Sequence, residues 1–347
     1  MDKLAIELLT LISFYACTDG GYTGCSLSLV CRRIRDASRL ARFYSVSLVT
    51  SPAQVEQFVT CLQKERVRSP HMLPRVRHLI LSLFGQGLET RPSTVPPRQP
   101  TSRAEFLASL NRRTQHWRTA QENLDGQYEH TIPNLIRAVA PDLHTFSLIQ
   151  AQWRSSSIVR CSFPLLRELT LCGGDPSFLP LASFANDQSL YPSLTRLHHI
   201  LAWTGREVDF MQWAKHAPRL THLRVSRLDH LPPITVDTLD QVIGDNYPEC
   251  FPKLKYAIIE PHPAPPPCVQ MSAAHLVFRD FLGYLDSLAE RSRVPVKVLP
   301  PCKIPPPPPG TISLQMCITR VKKIWLERVV EGDGCWHPQE GTHDSSD

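Results

Sequence analysis

Six times along this chain a proline is followed, after a short spacer, by aliphatic residues at offsets that make one side of a strand. The copies read PRVRHLILSL from Pro74, PDLHTFSLIQ from Pro141, PLLRELTLCG from Pro164, PSLTRLHHIL from Pro192, PRLTHLRVSR from Pro218 and PKLKYAIIEP from Pro252. In each the apolar positions fall on an L-x-x-L-x-L frame, as in Leu166, Leu169 and Leu171, or Leu220, Leu223 and Val225. Alternation within that frame is the period of a strand with one buried face. A unit that recurs in this way stacks on its own neighbours, which makes a solenoid and a surface for holding something.

The frame is that of the strand half of a leucine-rich repeat. From Pro141 onward the prolines lie 23, 28, 26 and 34 residues apart, near the roughly 20 to 29 usual for that repeat but irregular. The pattern begins before the first proline. Tyr44, Val46 and Leu48 alternate with Ser45 and Ser47, and Ser51 with Gln54 and Pro52 opens a helix whose stripe is Val55, Phe58, Val59 and Leu62. Strand, helix and strand in that order predict a parallel pair. Later stripes are Phe210, Trp213, Ala214 and Ala217, then Val236, Leu239, Val242 and Ile243, then Val277, Phe281, Leu285 and Leu288, with Val294 to Val298 as a last strand. Residues 43–299 are therefore expected to form the irregular α/β solenoid.

An insertion at about 85–127 interrupts it. The run Gly85 to Pro100 is rich in Pro, Ser and Thr and predicts an exposed loop. A polar helix from about Ser102 to Asn123 follows, carrying Trp117, and the helical pattern resumes near Tyr128 to Val139. Two proline runs, from Pro261 and from Pro305, favour stiff polyproline spacers. Residues 300–347 then read as linker, a helix with Leu314, Ile318, Val321 and Trp325 on one face that caps the open end of the core, and a polar tail frayed from about Glu331.

With 347 residues there is ample chain for a core, and a net charge of +6 does not call for nucleic acid. Eleven cysteines are scattered without a C-x-x-C pair, so neither a zinc cage nor a disulfide framework is expected, and reduced thiols point to the cytosol or nucleus. Glu7 interrupts the apolar start, and no stretch reaches the ~18 apolar residues of a membrane span.

Residues 2 to 16 are expected to form a helix capped by Asp2, with Leu4, Leu8, Leu9, Leu11 and Ile12 among apolar residues on an arc of roughly 220°. One packing face needs only about 100°. Such a helix needs two neighbours: one is a second helix over 26–41, striped by Leu27, Val30, Ile34 and Ala37 or Ala41, and another protein is a candidate for the other. The glycines of TDGGYTG make the turn between them. Arg32, Arg33, Arg35, Arg39 and Arg42 form a basic face that is expected to be solvated.

The stretch Leu4 to Ser38 resembles an F-box. Leu4, Glu7, Leu8, Leu9 and Ile12 match that family's opening phrase, and Val30, Cys31, Arg32 and Arg35 match its close. Ala5 stands where the family has proline, Ile34 where it has tryptophan, and ACTDGGYTG replaces a short turn. The whole chain looks like the F-box-like proteins with leucine-rich repeats numerous in fungi. The resemblance implies a substrate receptor of a Skp, cullin and F-box ubiquitin ligase. Residues 1–42 would then dock on the Skp-type adaptor, and through it a cullin, by Leu4, Leu8, Leu9, Ile12, Val30 and Ile34.

If the strands line an open face, the residues between the framework leucines point outward. Glu168, Thr170, Arg196, His198, His222, Arg224 and Tyr256 are then the expected contacts for an unknown protein target. His198 and His199 tempt a metal reading, but neighbours on a strand point to opposite faces and cannot share one ion. No nucleophile motif, phosphate loop or metal spacing is present, so neither an enzyme nor a cofactor is expected. The readings left open are a repeat protein without adaptor binding, its first helices serving as a cap, and a hydrolase or transferase on a repeat-like scaffold.

Overall fold

The computed structural model describes residues 4–49, 51–84, 102–150, 161–173, 189–201, 208–231, 233–244, 247–265, 272–302 and 312–336. The run Gly85 to Pro100, the prolines from Pro305, Asp2, the side chain of Trp117 and the tail beyond 336 lie outside the described residues. Among the described residues, eight parallel strands form a single sheet in strict chain order: β1 (Ser45–Leu48), β2 (His78–Ser82), β3 (Thr145–Ile149), β4 (Glu168–Cys172), β5 (Arg196–Ile200), β6 (His222–Leu228), β7 (Tyr256–Pro261) and β8 (Val296–Val298). In chain order the helices are α1 (Ile6–Ala16), α2 (Tyr22–Val30), α3 (Arg32–Ser38), α4 (Pro52–Arg68), α5 (Arg103–Tyr128), α6 (Thr131–Val139), α7 (Phe210–His216), α8 (Pro233–Ile243), α9 (Ala273–Glu290) and α10 (Ile312–Val329). The class is α/β.

In all six proline copies the strand begins four residues after the proline. His78, Thr145, Glu168, Arg196, His222 and Tyr256 therefore stand side by side across the sheet. The residue before each of these, from Arg77 to Thr221, offers its carbonyl to two N–H groups of the next copy, as Arg167 does to Thr195 and Arg196. The next position in each copy, Leu79, Phe146, Leu169, Leu197, Leu223 and Ala257, points into one continuous core with α4, α6, α7, α8 and α9. In five of the six copies the residue before the proline joins that core, Leu73 being exposed: Phe163 and Tyr191 stack between Phe146 and Trp213 at ring separations of 6.0, 5.7 and 5.4 Å. That position carried no weight in the L-x-x-L-x-L frame. In α9 the buried stripe runs through Phe278, Phe281, Leu285 and Leu288, with Val277 exposed, one residue away from the expected line.

Two features of the N-terminal region differ from expectation. Helix α1 begins at Ile6 after an extended Ala5, and the expected second helix is broken in two at Cys31, whose φ of −160° and ψ of 168° are those of a strand. The break turns the chain so that α3 packs against both α1 and α2. Gly20 and Gly21 adopt φ of +84° and +102°, which the turn requires. The Gly20 carbonyl accepts from Ser47 N–H at 3.0 Å, and Ser45 Oγ donates to the Cys17 carbonyl at 2.8 Å. The turn thus covers the outer edge of β1, where open N–H groups would invite another strand. Arg39 and Arg42 are not simply solvated: both pair with buried Glu65 of α4, at 3.2 and 3.3 Å.

The C-terminal helix does not cap the end of the sheet. It lies across the other face of the sheet, where Ile318, Val321, Trp325 and Val329 pack on Ile80, Phe84, Ile149, Cys172 and Ile200. Of these, Ile80, Ile149, Cys172 and Ile200 are strand residues, apolar on the face that alternation had assigned to solvent. Sandwiched strands need both faces covered, and helices on one side with a helix on the other achieve this. Up to residue 336 the tail is not frayed as expected, because Cys335 and Trp336 are buried against the sheet; the rest of the expected tail lies outside the described residues.

Candidate functional site

The side chains proposed to meet an adaptor separate into two groups. Leu8, Ile12 and Val30 are half to two-thirds exposed at 50%, 53% and 62%, Leu4 is exposed, and Ile34 is half-buried. Leu9 is 7% exposed and belongs to the interior, so it is withdrawn from any contact surface. Sequence reasoning missed Leu29, which at 79% is the most open of the aliphatic side chains on α1 and α2, and Tyr22 beside it in exposure. Of the twenty-one exposed large hydrophobic residues among those described, nine lie between Leu4 and Val30. A soluble surface rarely concentrates apolar groups in this way unless something covers them.

The proposed target contacts fare differently. Glu168, Thr170, His198 and Arg224 do point away from the main core, but all four are buried, and α10 or the segment after it contacts Glu168, His198 and Arg224. Glu168 accepts from Arg328 Nε at 2.7 Å and from Trp336 Nε1 at 3.0 Å. Arg224 reaches the Cys335 carbonyl and lies 3.5 Å from Glu260, which in turn faces Arg320 of α10 at 3.6 Å. His198 Nε2 shares a hydrogen bond of 2.9 Å with Ser226 Oγ, and the Trp336 ring stands edge-on over both His198 and His222. Burial, with Arg224 and Arg320 nearby, drives the His198 pKa well below the ordinary histidine value, so the ring is neutral. Only Arg196, His222 and Tyr256 of the seven remain partly open, in one row on adjacent strands.

His198 and His199 take opposite faces as expected. His198 faces Trp336, whereas His199 sits in the main core against Phe210 and Trp213. Cys172 of β4 and Cys317 of α10 meet at 3.5 Å, and the cysteines of the described residues are free thiols. Burial raises Cys335 to about 11, which keeps it a protonated, unreactive thiol. Among the described residues no helix is long and apolar enough to cross a membrane. No family model matches the chain, and neither a curated protein nor a solved structure matches it.

Proposed function

We propose that the chain is a protein-binding receptor of the F-box type with leucine-rich repeats, docking on a Skp-type adaptor of a cullin ubiquitin ligase through α1 and α2. The observation that carries this reading is the exposed apolar set Leu8, Ile12, Leu29 and Val30 on α1 and α2, with Leu4 just before α1, in the stretch that also carries the F-box-like phrases. Burying such side chains stabilises a complex by ~1.5 to 3 kcal/mol each. The strict strand order of the sheet supports the repeat part of the reading, since each unit pairs only with its sequence neighbours. A target protein is then held at the partly open row Arg196, His222 and Tyr256 rather than across the whole face.

One observation favours a second reading, in which the first helices only cap the array. The Gly20 turn seals β1, and Glu65 ties Arg39 and Arg42 to α4, as a cap would need. Co-purification with a Skp-type adaptor separates the two. The test variant is Leu8→Arg with Ile12→Arg, leaving buried Leu9 intact so that the fold survives. Losing two contacts of that size weakens binding by more than about a hundredfold under the first reading. Failure of the parent protein to bind, or variant binding within about threefold of the parent at equal thermal stability, leaves the cap.

A further inference from the structure

At the carboxyl ends of β6 and β7 three metal-ligating side chains converge: Asp229, His230 and His262. We propose that they form a binding site for a borderline divalent transition metal, with Zn(II) the reference ion. One oxygen and two imidazole nitrogens suit Zn(II) and neighbouring first-row dications rather than Ca(II) or Mg(II), which take oxygen sets.

The backbone is built to bring them together. Pairing between β6 and β7 slips by one residue at Arg227, so that Ser226 faces Glu260 but Leu228 faces Pro261. Arg227 itself sits at a φ of +65°, a left-handed conformation that costs a residue with a Cβ about 1 to 2 kcal/mol. Such bulges and strained residues gather at sites where a strand must re-aim a side chain. Here the slip sets Asp229 opposite His262, whose N–H is held by the Leu228 carbonyl at 2.9 Å.

The donor atoms point the same way. Asp229 Oδ1, His230 Nδ1 and His262 Nε2 are each shielded from solvent and have no hydrogen-bond partner outside the trio. All three lie within 4.8 Å of one another. Asp229 Oδ1 is 3.5 Å from His262 Nε2 and 2.6 Å from His230 Nδ1. Ligands about 2.0 to 2.2 Å from a tetrahedral zinc stand roughly 3.3 Å apart. The first distance fits, and a small rotation of the His230 ring, the most exposed of the three side chains, opens the second. Phe278 and Phe281 of α9 wall the site, with ring centroids 4.9 and 6.1 Å from His262. An ion here would clip the ends of two strands and keep a fourth position for water or a partner's ligand. The sequence hides this site because its ligands are two adjacent residues and a third more than thirty positions on.

The experiment uses the full chain, stripped with a chelator and titrated with Zn(II) alone by calorimetry, then with Co(II) by visible absorption. One equivalent binds, the Co(II) spectrum lacks thiolate charge transfer, and Zn(II) raises the melting temperature. Asp229→Asn and His262→Gln each weaken binding by about tenfold or more and abolish the thermal shift, while His144→Gln changes neither. Absence of binding by the parent protein overturns the proposal. So does equal affinity in both ligand variants, or a thiolate band, which would assign the ion to cysteines. Circular dichroism of the metal-free variants separates lost binding from lost fold.

Discussion

Replacing Trp325 by alanine probes the least expected part of the architecture, the helix laid across the second face of the sheet. The side chain is 2% exposed and belongs to the apolar cluster that α10 forms with Ile80, Phe84, Ile149, Cys172 and Ile200. Truncating a buried tryptophan costs about 3 to 5 kcal/mol. Its Nε1 has no hydrogen-bond partner, so removing it returns about 1 kcal/mol of desolvation cost. The expected net loss is about 2 to 4 kcal/mol, a large share of the ~5 to 15 kcal/mol typical of a folded protein. With a urea slope of about 3 kcal/mol/M the unfolding midpoint falls by about 0.7 to 1.3 M. Trp325→Phe keeps most of the ring and sheds the unpaired N–H, and it costs less than about 1 kcal/mol. Met316→Ala, on the open side of the same helix at 52% exposure, stays within about 0.5 kcal/mol. If the Trp325→Ala and Met316→Ala midpoints agree to within about 0.2 M, α10 does not pack on the sheet and the two-faced core is refuted.

Burial foremost, then His144, Arg77 and Arg328, lowers the His78 pKa to about 3. Above pH 6.5 this residue is neutral in both states; as pH falls from about 6.5 toward about 3 only the unfolded chain takes up the proton, and stability drops by up to about 1.4 kcal/mol per pH unit. His78→Gln makes that acid slope shallower in urea titrations, and an unchanged slope contradicts the assignment. Gly20→Ala combines a left-handed backbone with a Cβ placed 2.8 Å from that of Ser47, and it lowers stability by at least about 1 to 2 kcal/mol. Gly283→Ala meets nothing within 4 Å inside α9 and stabilises by about 0.4 to 1 kcal/mol; thermal melts that move both variants in the same direction count against the local geometry.

Much of the sheet is legible in the residues. The period of two, the proline punctuation and the capping Ser51, which accepts from Gln54 N–H, are local signals, and each acts within a few residues of the structure it specifies. The same signals place the first strand, helix and strand as a parallel unit. Periodicity served less well where a helix end depends on its neighbours. The break at Cys31 interrupts a stripe of apolar residues that reads as continuous, because the turn lets α3 reach both α1 and α2. Leu9 and Leu8 are equally apolar and adjacent, and only the position of α3 and the turn into β1 decides that Leu9 is buried while Leu8 is open.

By itself the sequence determined the strand frame and the excess of apolar residues on the first helices, since each of these depends on spacing along the chain. Tertiary structure alone decided which surfaces stay open. Glu168 and Trp336 are bonded across 168 residues, and the polar positions on β4 to β6 that read as an open binding face are instead the seat of the chain's own C-terminal segment. No local pattern marks such a pairing. Alternation records that a face differs from its opposite, and what covers that face is set by long-range burial of Trp325 and Trp336 and by the need to pair Glu168 and Arg224 once they leave water.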